Sequence, residues 1–503
     1  MVGARAEGKD YILAIDIGTS ACKVAVFDRL GNVLAAETRS YPVYYSFPGY
    51  AEQKPGEWWA SACEAIRDIF SSGKIAPSDI KTVGVDGQSW SCIIVDKHGQ
   101  VLFDNPIWMD TRAEGICAEV KQRVDKAAMF EICGNPFEPM YTTPKILWFK
   151  RNFPEIFKSA YKVLQSNSYI VYKLTGELSL DSSQGYGLHC FDMHKGKWDS
   201  ALVETLGIPM GLLPDISEPW DIVGHITQDA ARATGLLAGT PVVAGGLDAA
   251  CSTLGGGVCE PGQTQEQGGQ AGGMSICLDR CITHKKLIMG RHVVPNRWIL
   301  QGGTVGGGGA LKWLREVMLP GISFSEMSEL ATQSRPGSNG LIFLPYMSGE
   351  RSPIWDKSAK GVFFGLDYAK SRCDIIRAVM EGVAFSLLHN IKTAEEAGAY
   401  AGSMHSVGGS ANSSVWMQIK SDVTGKPMRV PSSDTATTLG AAMLAGIGVG
   451  IYESCQDAIA CTAQMKASYE PNMQNHEIYR RYYDVYLELY ENLKGSMKKI
   501  SGL

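Results

Sequence analysis

No stretch of this chain is apolar for long enough to cross a membrane. The best candidate, residues 437–452, is rich in small and apolar residues but short of the ~20 that a spanning helix needs, and it reads as a buried helix. Basic excess is missing too. Lysine and arginine number 47 against 52 aspartates and glutamates, and the net charge of −5 argues against a general nucleic-acid binder. The 13 cysteines follow no repeating spacing, and an odd number cannot pair fully within one chain. Cys277 and Cys281 stand close together but have no matching second pair, so they make a poor zinc site. The first ten residues are small and charged rather than apolar, so no signal peptide is expected, and the thiols are expected to be reduced in a cytoplasmic protein. Glycine clusters at 255–257, 268–273 and 302–309, too locally for a collagen-like or low-complexity chain.

What the chain has is length. Its 503 residues exceed what one hydrophobic core usually supports, so two domains are expected, with a boundary near Ala244 that gives 1–244 and 245–503. Residues 11–18, 23–28 and 32–39 read as consecutive strands, and 55–70 as a helix that Pro55 starts and Trp58, Ala62 and Ile66 face. Further strands are expected at 81–85, 91–95, 241–246 and 263–267, with helices at 310–318 and after Asp374. Strands alternating with helices indicate an α/β architecture. A last helix, 476–493, carries Ile478, Tyr482, Val485, Leu489 and Leu493 at 3–4 spacing, which reads as its packed face.

Two loops suggest phosphate chemistry. The first is Tyr11-Ile-Leu-Ala-Ile-Asp16-Ile-Gly18-Thr19-Ser20, and the second is Val242-Val-Ala-Gly245-Gly246-Leu-Asp248-Ala249. Each delivers an aspartate and small residues to the end of a buried strand. Glycine allows close backbone approach, N–H groups and hydroxyls bind phosphate oxygens, and an adjacent carboxylate can hold a phosphate-bound magnesium.

Further motifs resemble the FGGY family of carbohydrate kinases. They are Met140-Tyr-Thr142-Thr-Pro-Lys145-Ile146-Leu-Trp148-Phe149, Gly361-Val-Phe363-Phe-Gly365-Leu366 with Asp374-Ile375 after it, and Val407-Gly408-Gly409-Ser410-Ala411-Asn412. With the two aspartate loops, the likeness runs in order along nearly the whole chain. It implies two ribonuclease H-like domains of the actin and sugar kinase superfamily around an ATP and sugar cleft. It further implies ATP and Mg2+ as cofactors and a small sugar as partner, with neither nucleic acid nor membrane, and it leaves a homodimer open. The layout is most similar to the xylulokinase branch, so phosphorylation of a primary hydroxyl of a ketopentose such as D-xylulose is expected. Ribulose, a tetritol or gluconate are the alternatives, as is a non-catalytic nucleotide-dependent binding protein on the same scaffold.

The resemblance also implies residue roles. Asp248 is the base that takes the sugar hydroxyl's proton and touches the sugar. Asp16 faces the metal, and Gly18, Thr19 and Ser20 form the first phosphate loop. Lys23 either adds charge there or is a solvated strand residue. Gly269 and Gln270 lie in the second phosphate loop, Gln267-Gly268-Gly269-Gln270-Ala271-Gly272-Gly273, where Gln270 stands in place of the usual hydroxyl donor. Gly306 and Ala310 lie beside the nucleotide. Gly408, Gly409 and Asn412 fall at the adenosine, although Asn412 could instead cap the next helix. Gln88, Ser89 and Trp90 form the sugar loop, and here the chain departs from the family: xylulokinases show Gln-Met-His and glycerol kinases Gln-Arg-Glu. Trp90 is expected to lay its ring on the sugar, the alternative being a core tryptophan. Asp110 is expected to turn toward substrate hydroxyls, the alternative being a structural pair with Arg112. The charged residues of Gly349-Glu350-Arg351 are expected to brace a loop.

Overall fold

The computed structural model describes residues 9–502, so the expectation for the first ten residues falls, apart from Lys9 and Asp10, outside the described residues. Two compact units make up the chain, and neither is one continuous stretch. The first runs to residue 259 and adds 289–298 and 435–464; the second takes 260–288, 299–434 and the chain from 465 onward.

The first unit is built on strands β1 (Tyr11–Ile17), β2 (Ala21–Phe27), β3 (Val33–Ser40), β4 (Ile80–Gly87), β5 (Ile222–His225), β6 (Pro241–Val243) and β7 (Gly246–Leu247). In space they run β5–β6–β4–β1–β2–β3, and β7 also pairs with β4. β1, β2 and β3 form an antiparallel meander, and β4 adds to β1 in parallel. The near-continuous apolar runs of β1 and β2 have their reason in burial: Ile12, Leu13, Ala14, Ile15, Val24, Ala25 and Val26 are all inaccessible. The edge strand β3 alternates exposed and half-buried residues instead. Helix α1 (Pro55–Ser71) begins at its proline and buries Trp58, Ala62, Ile66 and Ile69 on the face expected from the spacing. Helix α2 (Thr142–Asn152) and helix α3 (Asp248–Gly255), which follows β7 directly, complete the elements that carry site residues.

The second unit repeats the sheet plan. Its strands β8 (Gln263–Gly268), β9 (Gly272–Leu278), β10 (Trp298–Thr304), β11 (Ser403–Val407), β12 (Met428–Pro431) and β13 (Met465–Tyr469) run β10–β9–β8–β11–β12–β13. β8 and β9 are antiparallel, β11 adds to β8 in parallel and β12 to β11, and the last strand is antiparallel. This is the ribonuclease H-like plan in both halves. Helices α4 (Gly308–Trp313), α5 (Arg372–Glu396) and α6 (Ser414–Thr424) belong to this unit. The helix expected at 310–318 is α-helical only through α4 and continues as a π turn over Leu314–Met318.

The expected single cut at 244 is corrected by helix α7 (Ala436–Gly448), which returns to the first unit late in the chain. A Cβ on Gly84 of β4 would stand 2.2 Å from the Ala441 carbonyl oxygen, and one on Gly440 would stand 1.9 Å from that of Cys251. Only glycine at these crossings lets the helix backbone lie against β4 and α3. Asp248, placed by that cut in the second half, is part of the first unit.

Helix α8 (Met473–Ser501) buries Tyr479, Tyr483, Tyr486, Leu489 and Met497, whereas Ile478 and Val485 are exposed. The expected stripe is thus displaced by one residue at Ile478, Tyr482 and Val485, while Leu489 is buried as expected. Tyrosine takes the buried positions because its hydroxyls find partners there: Tyr479 bonds Glu381 at 2.7 Å and Tyr346 bonds Tyr486 at 2.7 Å.

Candidate active site

Three carboxylates gather at the carboxyl edge of the first sheet. Asp16 is next to last on β1, Asp86 is next to last on β4, and Asp248 opens α3. The parallel register sets Asp16 directly beside Asp86, with Gly246 on the other flank of Asp86. Asp86 is fully buried, and neither of its oxygens meets a donor. An ionised carboxylate in that position would be costly. Burial, followed by the charges of Asp16 and Asp248, pushes Asp86 well above the carboxylate range, so that it holds a proton against Asp16. Asp16 is raised to about 6 by burial, held back by the bond from Asp86 and by Lys23, its partner across the β1–β2 ladder. Asp248 is raised to about 7 by burial and then by Asp16, while the Ala249 N–H, 2.6 Å away, lowers it. Both Asp16 and Asp248 keep an accessible edge. A carboxylate that ionises near neutrality is suited to accepting a proton.

The sequence reading missed Asp86. Its signal was the one that marked Asp16: an acid at the end of a buried strand with glycine close behind. Among the described residues, no group of three or more His, Cys, Asp or Glu is placed to hold a metal ion. Asp16, half-buried as a residue, offers a single carboxylate, which suits a magnesium ion that arrives with phosphate oxygens and water.

The turn between β1 and β2 is closed by the Gly18 N–H on the Ala21 carbonyl at 3.1 Å and by the Tyr41 hydroxyl on the Gly18 carbonyl at 2.6 Å. Ser20 is exposed at its tip. The Thr19 hydroxyl is committed: it accepts the Trp108 indole N–H at 2.9 Å and donates to Gln88 Oε1 at 3.3 Å. Gln88, buried, gives its amide to Gln53 Oε1 at 2.7 Å. Thr19 and Gln88 therefore tie the turn of Gly18–Ser20 to the loop of Gln88–Trp90 within this unit.

The expectation that Trp90 stacks on a sugar is corrected. Its ring is 3% exposed, with the Tyr141 ring at 4.3 Å and the Tyr186 ring at 5.7 Å, so no open face remains. Trp90 is a core residue beneath its loop, while Ser89 is partly exposed above it. Asp110 is corrected likewise. Fully buried, its oxygens accept the Ala51 N–H and three N–H groups of Arg112 at 2.7–3.1 Å, which fills both. The charge it carries supports Arg112, which also reaches Glu52 at 2.8 Å.

In the second unit three glycine-bearing segments converge. Residues 269–271 link β8 to β9, and the Gly269 and Gln270 carbonyls accept the N–H groups of Gly308 and Gly309 at 2.8 and 2.9 Å. A Cβ on Gly309 would lie 2.4 Å from Gln270 Nε2, and one on Gly307 would lie 2.4 Å from Ala271 C, so the glycine run is a close crossing of two backbones. Gly306 and Ala310 are buried in this crossing, and Gln270 is exposed, its amide available as a donor. Gly408, at φ 92°, brings the third segment against Gly268. Gly408, Gly409 and Asn412 are exposed. Ser413, not Asn412, caps α6 by accepting the Trp416 N–H at 3.2 Å.

Beneath these loops lies a pair that the sequence reading also missed. Lys420 Nζ bonds Glu266 Oε1 at 2.6 Å and Ser410 Oγ at 2.8 Å, all but inaccessible to water. Glu350 accepts the Val305 N–H at 2.6 Å and the Arg351 N–H at 2.7 Å and so braces the glycine run; burial raises it to about 7.

Comparison with known proteins gives a consistent picture. Residues 11–255 match the N-terminal domain, and residues 286–449 the C-terminal domain, of the FGGY family of carbohydrate kinases. The chain is 30% identical to a xylulose kinase of Staphylococcus epidermidis over 488 residues, covering 97% of each protein. A ligand-bound xylulose kinase from Lactobacillus acidophilus superposes with a TM-score of 0.90 at 26% identity, over 98% of this chain and 100% of that one. A gluconate kinase from Lactobacillus acidophilus does so with the same TM-score of 0.90 at 26% identity, over 98% and 99%. Among the described residues no helix is long and apolar enough to cross a membrane, and none of the 13 cysteines is in a disulfide.

Proposed function

The chain belongs to the FGGY family of carbohydrate kinases, and from that premise we propose that it transfers the γ-phosphoryl group of ATP to a primary hydroxyl of a short sugar, D-xylulose first. The observation that carries this reading is Asp248: a carboxylate at a strand-to-helix junction, partly accessible, and raised to about 7 by burial and by Asp16. Such a group accepts the hydroxyl proton as the oxygen attacks phosphorus, and it releases the proton readily afterwards. Phosphoryl transfer asks mainly for alignment and charge neutralisation, so a weak base in the right place suffices.

The other residues take supporting roles. Asp16 would hold magnesium through its carboxylate, and the ion supplies neutralisation of phosphate charge when bound. Gly18 and Ser20 offer the turn and hydroxyl for a phosphate, with Thr19 fixing the turn from behind. Gly269, Gln270, Gly306, Ala310, Gly408, Gly409 and Asn412 take the nucleotide, the exposed Gln270 amide serving where relatives place a hydroxyl. Ser89 with Asp248 faces the sugar; Gln88, Trp90 and Asp110 shape the loops that present them. A donor such as ATP and cysteines held outside disulfides fit the cytoplasm.

The relatives are kinases, which sets aside a non-catalytic nucleotide-binding role. The gluconate kinase neighbour supports gluconate as an alternative acceptor, and ribulose and the tetritols stay alternatives on the family resemblance alone. Sugar-dependent ADP release decides the matter. The expected result is the highest kcat/KM with D-xylulose; a tenfold preference for another acceptor would reassign the substrate, and no sugar dependence would reject the reading.

A further inference from the structure

Lys145 is a buried lysine, its pKa lowered to about 7 by desolvation, that the proposed reaction does not use. It lies on the first turn of α2 and is inaccessible to solvent. Its ammonium donates to three backbone carbonyls: Trp90 at 2.8 Å, Ile107 at 2.8 Å and Pro106 at 3.2 Å. Three N–H bonds meet three acceptors, which is full satisfaction for an ammonium. The acceptors come from two separate loops, one carrying Gln88, Ser89 and Trp90, the other running on to Asp110.

The Trp90 end of this clamp is under backbone strain. Trp90 has φ 56°, a left-handed conformation that a bulky side chain rarely adopts and that persists only where surroundings impose it. The surroundings are visible. Lys145 draws on the Trp90 carbonyl, and Thr142, three residues earlier on the same helix, donates its hydroxyl to the next carbonyl, that of Ser91, at 3.0 Å. Gln165 gives its amide to that Thr142 hydroxyl at 3.1 Å, fixing the hydrogen toward Ser91. Without these donors the loop would relax toward ordinary backbone angles, and Ser89 would move with it.

We propose that Lys145, with Thr142, is a positioning residue of the sugar site: the clamp sets the conformation of the loop from Gln88 to Ser91 and its distance from the loop of Pro106 and Ile107, and so the place where the acceptor hydroxyl is held. The inference rests on the reading that these loops bind the sugar. It bears on sugar binding rather than nucleotide binding, because the clamp's donors bond only Trp90, Ser91, Pro106 and Ile107, none of them assigned to the nucleotide.

The test uses the full chain and D-xylulose with ADP release as readout. Lys145→Met keeps the length and apolar stem but removes all three donors. It is expected to raise the sugar KM by about 10²-fold, as misplacement of a bound group does, with the KM for ATP and the sugar-independent ADP release within twofold of wild type. Should Lys145→Met fail to fold, Thr142→Val removes one clamp bond and is expected to raise the sugar KM several-fold, whereas Thr142→Ser, which keeps the hydroxyl, is expected to restore it. A sugar KM within twofold of wild type in folded Lys145→Met, or in Thr142→Val where Lys145→Met does not fold, overturns the proposal, as does a loss of thermal stability with both KM values unchanged. A wild-type chain with no sugar-dependent turnover would instead reject the underlying reading of the site.

Discussion

The two units share one sheet plan and use it for opposite electrostatic ends. In the first, Asp16 near the end of β1 lies in register with Asp86 on the parallel strand β4. In the second, Glu266 near the end of β8 lies in register with Ser406 on the parallel strand β11. Both frames thus carry a carboxylate close to the turn that follows the first strand. Glu266 is neutralised by Lys420 and bonded by Ser406, while Asp16 faces another acid and shares its proton. One frame is closed by a buried ion pair and presents backbone and glycine. The other is left charged, uneasy and reactive. The difference teaches that stability and chemistry are divided between the halves, with side-chain chemistry concentrated in the first.

Substitutions can break this contrast. The largest effect is expected from Asp16→Ala: kcat should fall about 10²–10³-fold while the sugar KM changes little, and a raised sugar KM with normal kcat would move Asp16 to the sugar site. Next is Lys420→Met, which leaves Glu266 buried without its cation; a loss of about 3–5 kcal/mol in denaturant unfolding is expected, with a raised KM for ATP and an unchanged sugar KM.

A pH profile sharpens the contrast. Asp248, raised to about 7, must be ionised to act as base, so kcat/KM for the sugar should fall as pH drops below about 7. Asp16→Asn removes the neighbouring charge and should move that acid limb to lower pH in the residual activity. The smallest effect is a stabilisation. Asp16, Asp86 and Asp248 all have folded pKa values above their ordinary 3.8, so the native state binds extra protons and loses stability as pH rises from about 4 to above 7. Asp86→Asn removes the most deeply buried of these acids. Its melting temperature should exceed that of wild type by about 2–4 °C at pH 8, a gain that fades near pH 4; a lower melting temperature at pH 8 would contradict the reading of Asp86 as an acid destabilised by its burial.

Much of this was legible in the sequence. Apolar runs ending in an acid and glycine placed β1 and the Asp16 turn, and Pro55 with its 3–4 spacing placed α1, because burial and backbone geometry write themselves locally. The return of α7 to the first unit was not legible: its small-residue run showed a buried helix, but a close crossing onto Gly84 depends on partners some 350 residues earlier in the chain. Trp90 and Asp110 were read as ligand contacts because side-chain chemistry shows what a residue can do, not whether aromatic neighbours or Arg112 already occupy it. The displaced face of α8 has a similar cause, since apolar and aromatic residues at 3–4 spacing occupy two adjacent faces, and the core partners of the Tyr479 and Tyr486 hydroxyls select one of them.

The most direct measurement is single-turnover phosphoryl transfer by Asp248→Asn at saturating Mg2+–ATP and D-xylulose, alongside its ADP affinity. The expected result is transfer slowed by about 10²–10⁴-fold with ADP binding within twofold of wild type, since Asp248 is assigned to the acceptor hydroxyl and not to the nucleotide. Transfer at more than about a third of the wild-type rate would contradict Asp248 as the base.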